Sequence, residues 1–240
     1  METREKYLLV TAGGSGTRMG AGMPKQFLPI GGRPILIRTL ERFIEAVPEV
    51  HIVTVLPKDH IPYWKDLCVR YQFDHPQRIV AGGITRFHSV RAGLERVPAG
   101  AIVAIHDGVR PLISAGLIRR LFDSMSPECR ALIPVLPVTD TLKRLERTSD
   151  GRLCTPEDGA PAPDRSVLFG AQTPQMFYSE DIIEAYHQAY DTAFTDDASV
   201  AAKAGIPLGW AEGERFNLKI TTPDDILLAE AILAAAPKGR

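Results

Sequence analysis

The residues whose types and spacing most suggest chemistry stand just after the first hydrophobic run. Tyr7–Thr11 leads into Ala12-Gly13-Gly14-Ser15-Gly16-Thr17-Arg18-Met19-Gly20, and Met23-Pro24-Lys25-Gln26-Phe27 follows. Glycines behind a strand let backbone N–H groups approach and cradle phosphate oxygens. Two named nucleotide motifs fail here. A dinucleotide G-x-G-x-x-G begun at Gly14 needs glycine where Met19 stands, and a P-loop needs Gly-Lys-Ser/Thr, which is absent. What is left is a Gly-rich loop with two cations, Arg18 and Lys25, on one long strand-to-helix connection. A flexible turn with solvated cations is the bland alternative. The paired cations favour a polyphosphate site. Asp107 is the second candidate, at the end of a β-branched run and close to Arg110. Mg²⁺ takes phosphate oxygens plus one or two carboxylates, so Asp107 is the expected nucleotide or metal contact, although a strand-end Asp also serves as a cap or turn former.

Such loops need a scaffold that brings them to one edge. Short β-branched runs occur at Tyr7–Thr11, His51–Leu56, Arg78–Val80, Ala101–His106 and Ala131–Leu136. Between them lie helical patterns: Ile35–Ala46, and Leu117, Ile118, Leu121 and Phe122 behind Ser114, a candidate N-cap. Strand and helix in alternation predict an α/β fold, a mostly parallel Rossmann-like sheet flanked by helices. Ligands of such sheets bind beyond the carboxyl ends of the strands. The rhythm breaks over 138–167, where Asp150-Gly151 signals a hairpin and Ala160-Pro161-Ala162-Pro163 is Pro-rich. This stretch is expected to be an extended β-arm projecting from a single domain spanning 1–240, with a disordered surface loop the alternative that composition leaves open. Helices are expected at Ser179–Ala189 and Asp197–Ala204, a strand pair near Pro207–Ile220, and a last helix from Pro223.

Composition narrows the function classes. Lys and Arg number 28 against 29 Asp and Glu, a net charge of -1, which gives no electrostatic footprint for nucleic acid. No apolar run is long enough to span a membrane, and the amino-terminal residues have no secretory-signal pattern. Cys68, Cys129 and Cys154 lie far apart, without C-x-x-C, which suits a reducing cytoplasm better than a disulfide framework or zinc site. His51, His60, His75 and His187 form no ligand spacing, and Trp64, Tyr71 and Phe73 are expected in the core.

Gly-Gly-x-Gly-x-Arg-Met with Pro-Lys-Gln downstream resembles the nucleotidyltransferases that join a nucleoside triphosphate to a sugar or polyol phosphate. Further segments are Gly82-Gly83-Ile84-Thr85-Arg86-Phe87-His88-Ser89, His106-Asp107-Gly108-Val109-Arg110-Pro111, Asp140-Thr141-Leu142-Lys143-Arg144, Gln172-Thr173-Pro174-Gln175, Thr195-Asp196-Asp197-Ala198-Ser199 and Asn217-Leu218-Lys219-Ile220-Thr221. In this order they resemble the 2-C-methyl-D-erythritol 4-phosphate cytidylyltransferase family over nearly the whole chain. Two departures stand out: Gly108-Val109 replaces the family's usual Ala-Ala, and the arm is longer and Pro-rich.

The resemblance implies attack of a phosphomonoester oxygen on the α-phosphorus of CTP, with pyrophosphate leaving. The nucleophile is already anionic, so positioning and cationic stabilisation matter more than a general base. Arg18 and Lys25 are then the expected catalytic pair. Ala12, Gly13, Gly14 and Gly16 would line the triphosphate, and Lys219 would approach it from a strand on which Leu218 and Ile220 face the other way. Gly83 and Ser89 would meet the cytosine or ribose, with Ser89 as a helix-start residue the alternative. Asp107 would contact the nucleotide and Mg²⁺. Arg110, Thr141, Arg165, Thr195 and Asp196 would bind the acceptor, although Asp196 also fits a helix N-cap. Thr141 and Arg165 flank the arm, which in the family reaches across a homodimer. Ribitol 5-phosphate is the rival acceptor; Asp140–Arg144 with Asp164-Arg165 favours the erythritol phosphate. A non-catalytic nucleotide-binding module is the rival of another class, and Mg²⁺-dependent pyrophosphate release separates the two.

Overall fold

The computed structural model describes residues 4–14, 23–156, 158–159 and 161–235. Its strands, in chain order, are β1 (Lys6–Thr11), β2 (Pro29–Ile30), β3 (Arg33–Pro34), β4 (His51–Leu56), β5 (Gln77–Ala81), β6 (Ile102–Asp107), β7 (Ala131–Pro137), β8 (Glu146–Arg147), β9 (Leu153–Cys154), β10 (Phe169–Ala171), β11 (Gln175–Tyr178) and β12 (Gly209–Glu212). The helices are α1 (Ile35–Ala46), α2 (Ile61–Arg70), α3 (Arg86–Leu94), α4 (Ala115–Asp123), α5 (Ser179–Ala185), α6 (Asp197–Lys203) and α7 (Pro223–Ala235).

Eight strands form one sheet in the order β5-β4-β1-β6-β11-β7, with β10 and β12 also paired to β7. The β5-β4-β1-β6 block is parallel, and β12 runs parallel to β7. Only β10 and β11 run against their neighbours. The mostly parallel expectation therefore holds. Every residue of β6 is buried, as befits a central strand covered by helices on both faces. Period-two alternation in β1 divides the core: Leu8 and Val10 pack with Leu36, Leu40 and Phe43 of α1 and with Leu117 and Leu121 of α4. Tyr7 and Leu9 face the other layer, with Val90 of α3, Ile182 of α5 and Val200 of α6. Ser114 caps α4, its hydroxyl accepting from the Leu117 N–H at 2.9 Å. Trp64 and Phe73 are buried in the first layer.

Three details differ from the sequence reading. α5 stops at Ala185, four residues short of the expected end. Pro207–Ile220 supplies one strand rather than two, because the segment after β12 bonds elsewhere. The Ile220 N–H donates to the Val109 carbonyl at 2.8 Å, and the Asn217 amide donates to the Thr173 carbonyl at 2.8 Å. The third concerns β10 and β11, one antiparallel run along β7 with a break in it. Ala171 lies opposite Val135 and Met176 opposite Leu132, so five steps of one strand cover three of the other. The Gln172 N–H still donates to the Pro134 carbonyl at 2.8 Å, so the two extra residues fall within 173–175.

The 138–167 stretch leaves the sheet after β7 and returns into β10. Its base is closed by the Val138 N–H on the Leu168 carbonyl at 3.1 Å. Within it β8 and β9 form a short hairpin whose turn contains Asp150 and Gly151, the latter at φ 85°, as the Asp-Gly signal predicts. None of its described residues is buried, and Leu145, Leu153 and Val167 are exposed. No described helix is long and apolar enough to cross a membrane.

Candidate active site

Parallel strands end at the same edge, so the loops after β1, β4, β5 and β6 converge. Thr11 lies beside Asp107 across the β1–β6 pair, and Leu56 beside Ala81 across β4–β5. Between these loops opens a cleft of about 620 Å³, lined by Ala12, Gly13, Gly14, Lys25, Gly82, Gly83, Arg86, Ser89, Asp107 and Lys219 among others.

Lys25 opens a one-turn 3-10 segment, Lys25–Phe27, anchored by its buried neighbours. The Gln26 amide donates to the Ala12 carbonyl at 2.7 Å, while Phe27 enters the core. The Lys25 ammonium is thereby presented to the cleft, donating to the Ile220 carbonyl at 3.1 Å. A Cβ on Gly14 would stand 3.3 Å from Lys25 Cε, so the glycine loop lies directly against this lysine.

On the far side, the Gly82 N–H extends the β4 ladder to the Leu56 carbonyl at 2.7 Å. A Cβ on Gly82 would come within 2.8 Å of Ser89 Oγ, and one on Gly83 within 2.5 Å of His88 Cβ. Only glycine lets the chain pass this close to the first turn of α3. Thr85 caps that helix; the Ser89 hydroxyl accepts from the Gly83 N–H at 3.1 Å and donates to the Thr85 carbonyl at 2.9 Å.

Asp107 is the electrostatic centre. Its Oδ2 lies 3.0 Å from Lys219 Nζ and 3.2 Å from Arg110 Nε, whereas Oδ1 faces Arg86 Nε at 3.9 Å, beyond hydrogen-bonding reach. Burial alone would raise this carboxyl; the fields of Lys219, Arg86 and Arg110 outweigh it and hold Asp107 well below the usual carboxylate range. Its backbone is pinned as well. The Asp107 N–H donates to Thr173 Oγ1 at 3.1 Å, and that hydroxyl lies 3.0 Å from His106 Nδ1. With its oxygen accepting from Asp107, Thr173 has its proton for Nδ1, which matches a neutral imidazole. Burial, the largest cause, pushes His106 down to about 3.

The family described as IspD: 2-C-methyl-D-erythritol 4-phosphate cytidylyltransferase matches residues 7–235. A protein of that name from Porphyromonas gingivalis is 46% identical over 233 residues, covering 97% of this chain and 99% of its own. One from Bacteroides thetaiotaomicron is 41% identical over 229 residues, covering 95% and 100%. The chain belongs to the 2-C-methyl-D-erythritol 4-phosphate cytidylyltransferase family. Solved relatives agree: a 4-diphosphocytidyl-2C-methyl-D-erythritol synthase from Anaerococcus prevotii is 28% identical, with a TM-score of 0.75 over 96% of this chain and 99% of its own.

Against this cytidylyltransferase background, Ala12, Gly13, Gly14, Lys25, Gly83, Ser89, Asp107 and Lys219 share one cleft. Arg18 and Gly16 lie outside the described residues. The sequence suggested a strand for Lys219, but it stands on a segment outside any strand or helix in which Asn217 and Ile220 are buried and Lys219 is exposed. The Ser89 hydroxyl, expected on base or ribose, lines the cleft and braces the Gly83 loop, and Thr85 rather than Ser89 caps the helix. Arg110, expected on the acceptor phosphate, is buried; its Nη1 donates to the Asn217 carbonyl at 2.8 Å while Nε holds Asp107. It thus fixes Asp107 against the Lys219 segment. Asp196 caps α6 in a reciprocal box with Ser199, the alternative the sequence left open. Asp196 lines a different, apolar cavity of about 730 Å³ with Val167, Phe169 and Trp210. Thr141, Arg165 and Thr195 are exposed and do not line the cleft around Asp107, and Arg165 donates to the Thr139 carbonyl at 2.8 Å.

Arg86, Lys58 and Thr173 went unassigned in the sequence. Arg86 and Lys58 both line the cleft directly behind strand ends, the position that singled out the other loops. Thr173 had no such signal, since its partners are 66 and 67 residues away.

Among the described residues, no group of three or more His, Cys, Asp and Glu gathers as a metal cage. A single ionised carboxylate with one oxygen outside hydrogen-bonding reach of its cations is a donor set suited to Mg²⁺ arriving on a polyphosphate, because this ion keeps most of its ligands as water and phosphate.

Proposed function

We propose that this cleft transfers a cytidylyl group from CTP to 2-C-methyl-D-erythritol 4-phosphate, the activity of its family in isoprenoid biosynthesis, through the residues assembled around Asp107. The observation that carries the residue assignment is the convergence of Lys25, Lys219 and Asp107 on one cleft walled by the Gly13-Gly14 and Gly82-Gly83 loops. The acceptor's phosphate oxygen forms a bond to the α-phosphorus, the bond to the bridging oxygen of the pyrophosphoryl group breaks, and pyrophosphate leaves with the electron pair. No proton need be removed from an ionised phosphomonoester. The task is to hold two polyanions together and to stabilise charge on the phosphoryl oxygens.

Lys25 and, by the family resemblance, Arg18 face that charge, and Lys219 joins them from the segment whose Ile220 carbonyl Lys25 holds. Arg110 and Thr173 hold Asp107 in place. Mg²⁺, when bound, would be held by the triphosphate and Asp107 and would supply further charge neutralisation. The close backbone approach at Gly82 and Gly83 leaves room for a pyrimidine edge and suits cytosine. Thr195 belongs to the acceptor site, which Arg165 and Thr141 complete across a homodimer built on the 138–167 arm; their absence from their own chain's cleft lining and the arm's exposed apolar residues support that reading. The three free cysteines support a cytoplasmic location.

Pyrophosphate release from CTP and Mg²⁺ tests the assignment, with 2-C-methyl-D-erythritol 4-phosphate and ribitol 5-phosphate compared side by side. Preference for the first is expected. Preference for ribitol phosphate would keep the cleft chemistry and overturn the acceptor.

A further inference from the structure

The Arg86 guanidinium is divided unequally between two carboxylates. Nη1 and Nη2 donate to Asp197 Oδ1 and Oδ2 at 2.8 and 2.5 Å, while Nε stands 3.9 Å from Asp107 Oδ1. Asp197 is completely buried at the start of α6, and the Tyr186 hydroxyl donates to its Oδ1 at 2.6 Å. Aromatic rings wall off this cluster: Phe87 stacks on Tyr186 at 4.7 Å and on Phe194 at 5.5 Å. Arg86 itself reaches the cleft, where its side chain is 30% exposed.

A two-pronged guanidinium–carboxylate pair sets direction as well as distance. In a site with less water its attraction is stronger than at an open surface. Asp107, by contrast, already has Lys219 and Arg110 on Oδ2. An ordinary N–H···O separation is about 2.9 Å, so Arg86 Nε needs to move only about 1 Å to close on Oδ1. That movement would occupy the remaining oxygen of Asp107 with a third cation. The far end of the guanidinium is meanwhile held by the fork on Asp197, which also accepts from Tyr186.

We infer that Asp197 is a positioning residue that tethers Arg86 away from Asp107, keeping Asp107 Oδ1 available to the reaction. The inference rests on the reading of Asp107 given above. It assigns the second acid of Thr195-Asp196-Asp197 a task distinct from acceptor binding. It also explains why a cation lining a polyphosphate cleft is satisfied from behind by a buried carboxylate.

The test uses the full chain and four variants: Asp197→Asn, Arg86→Gln, the double variant, and Asp107→Asn. Turnover is referred to the folded fraction, measured by circular dichroism well below each melting temperature, and the KM values for CTP and acceptor are obtained separately. Asp197→Asn should lower kcat about tenfold or more, with both KM values changing less than about threefold, because the loss arises at Asp107 rather than in binding. Removing Arg86 as well should raise kcat at least about threefold above that of Asp197→Asn alone, since the freed cation is what quenches the site. Unchanged turnover per folded Asp197→Asn molecule, with only a lower melting temperature, would reduce the pair to a structural staple and overturn the inference. So would a double variant that folds but stays inactive, since Arg86 would then be needed for itself. Should Asp197→Asn fail to fold, Tyr186→Phe removes only the hydroxyl that orients Asp197. It should lower kcat in the same sense and be rescued by Arg86→Gln; no change in kcat would overturn the tether. Full turnover in Asp107→Asn would instead refute the reading of Asp107, and so separates the two failures.

Discussion

At the cleft, three charged side chains are held by partners distant in sequence, Lys25 by Ile220, Arg86 by Asp197 and Lys219 by Asp107, and Arg110 ties nearby Asp107 to the distant Asn217. Along the 138–167 arm the contacts are local or superficial. Arg152 pairs with Asp150, Arg147 donates to the Gly151 carbonyl, and Arg144 meets Asp158, all at exposed positions. The cleft is over-determined by tertiary structure, whereas the arm has its own turn chemistry and little core. A change in the cleft should therefore register as chemistry, and a change in the arm as acceptor handling or assembly, with the fold intact.

The sharpest way to break that contrast is at the cleft. Lys25→Ala, Lys219→Ala and Asp107→Asn should each lower kcat by about 10²–10³, the scale of losing one preorganised electrostatic group. Lys219→Ala should barely move the melting temperature, since that side chain is 44% exposed. Asp107→Asn should also destabilise, because it leaves buried Arg110 unpaired. Near-parent turnover in all three would end the assignment of this cleft. Next is Gly83→Ala, whose Cβ would meet His88 Cβ at 2.5 Å. Displacing that loop should weaken CTP binding by about tenfold or more while acceptor KM stays put, as a geometric misplacement of about 1 Å can do.

Arg165→Ala on the arm should raise acceptor KM about tenfold and leave CTP KM alone, the expected loss of one charge-assisted contact. Mixing Arg165→Ala with Lys25→Ala chains should restore activity in heterodimers if the arm serves the neighbouring cleft; no recovery would put Arg165 to work in its own subunit.

A pH measurement sharpens the comparison from the stability side. His106 has its pKa lowered to about 3 in the folded chain, against 6.5 in the open. Its contribution is fully present above pH 6.5 and is lost as pH falls through that window toward 3, because the unfolded chain takes up the proton first. The slope reaches at most about 1.4 kcal/mol per pH unit. Denaturant melts between pH 7 and 5 should show it in the parent and a flatter line in His106→Gln; an equal slope in both would assign the linkage to other groups. The smallest effect is expected at Gly151→Ala, whose φ of 85° strains any other residue. It should fray the β8–β9 hairpin, visible as faster amide exchange there, yet change global stability by less than about 0.5 kcal/mol.

Much of the cleft was legible because its signals are local. The glycines at 13, 14 and 83, with Lys25 and Asp107, stand on loops behind strands that end at one edge of a parallel sheet, whereas Lys219 was assigned through the family resemblance. The Asp150-Gly151 turn and the Ser114 cap could be read in the same way. What escaped depends on partners far along the chain. Nothing near Arg86 announces that Asp197, 111 residues on, will take its guanidinium. Nor does Lys219 advertise that its segment will be held by Val109 and Thr173 instead of entering a sheet. Burial of Arg110 between Asp107 and Asn217 likewise arises only once two distant loops meet.

The two extra residues within 173–175 bear on how this fold tolerates change. β11 takes its register from β6 as well as from β7, whereas β10 pairs with β7 alone. Gln172 and Thr173, where the break begins, are fastened to Pro134, Glu214, His106 and Asp107. A change of length within 138–167 falls beyond the Val138–Leu168 closure, so neither the register of β11 nor the seat of Thr173 under Asp107 depends on it.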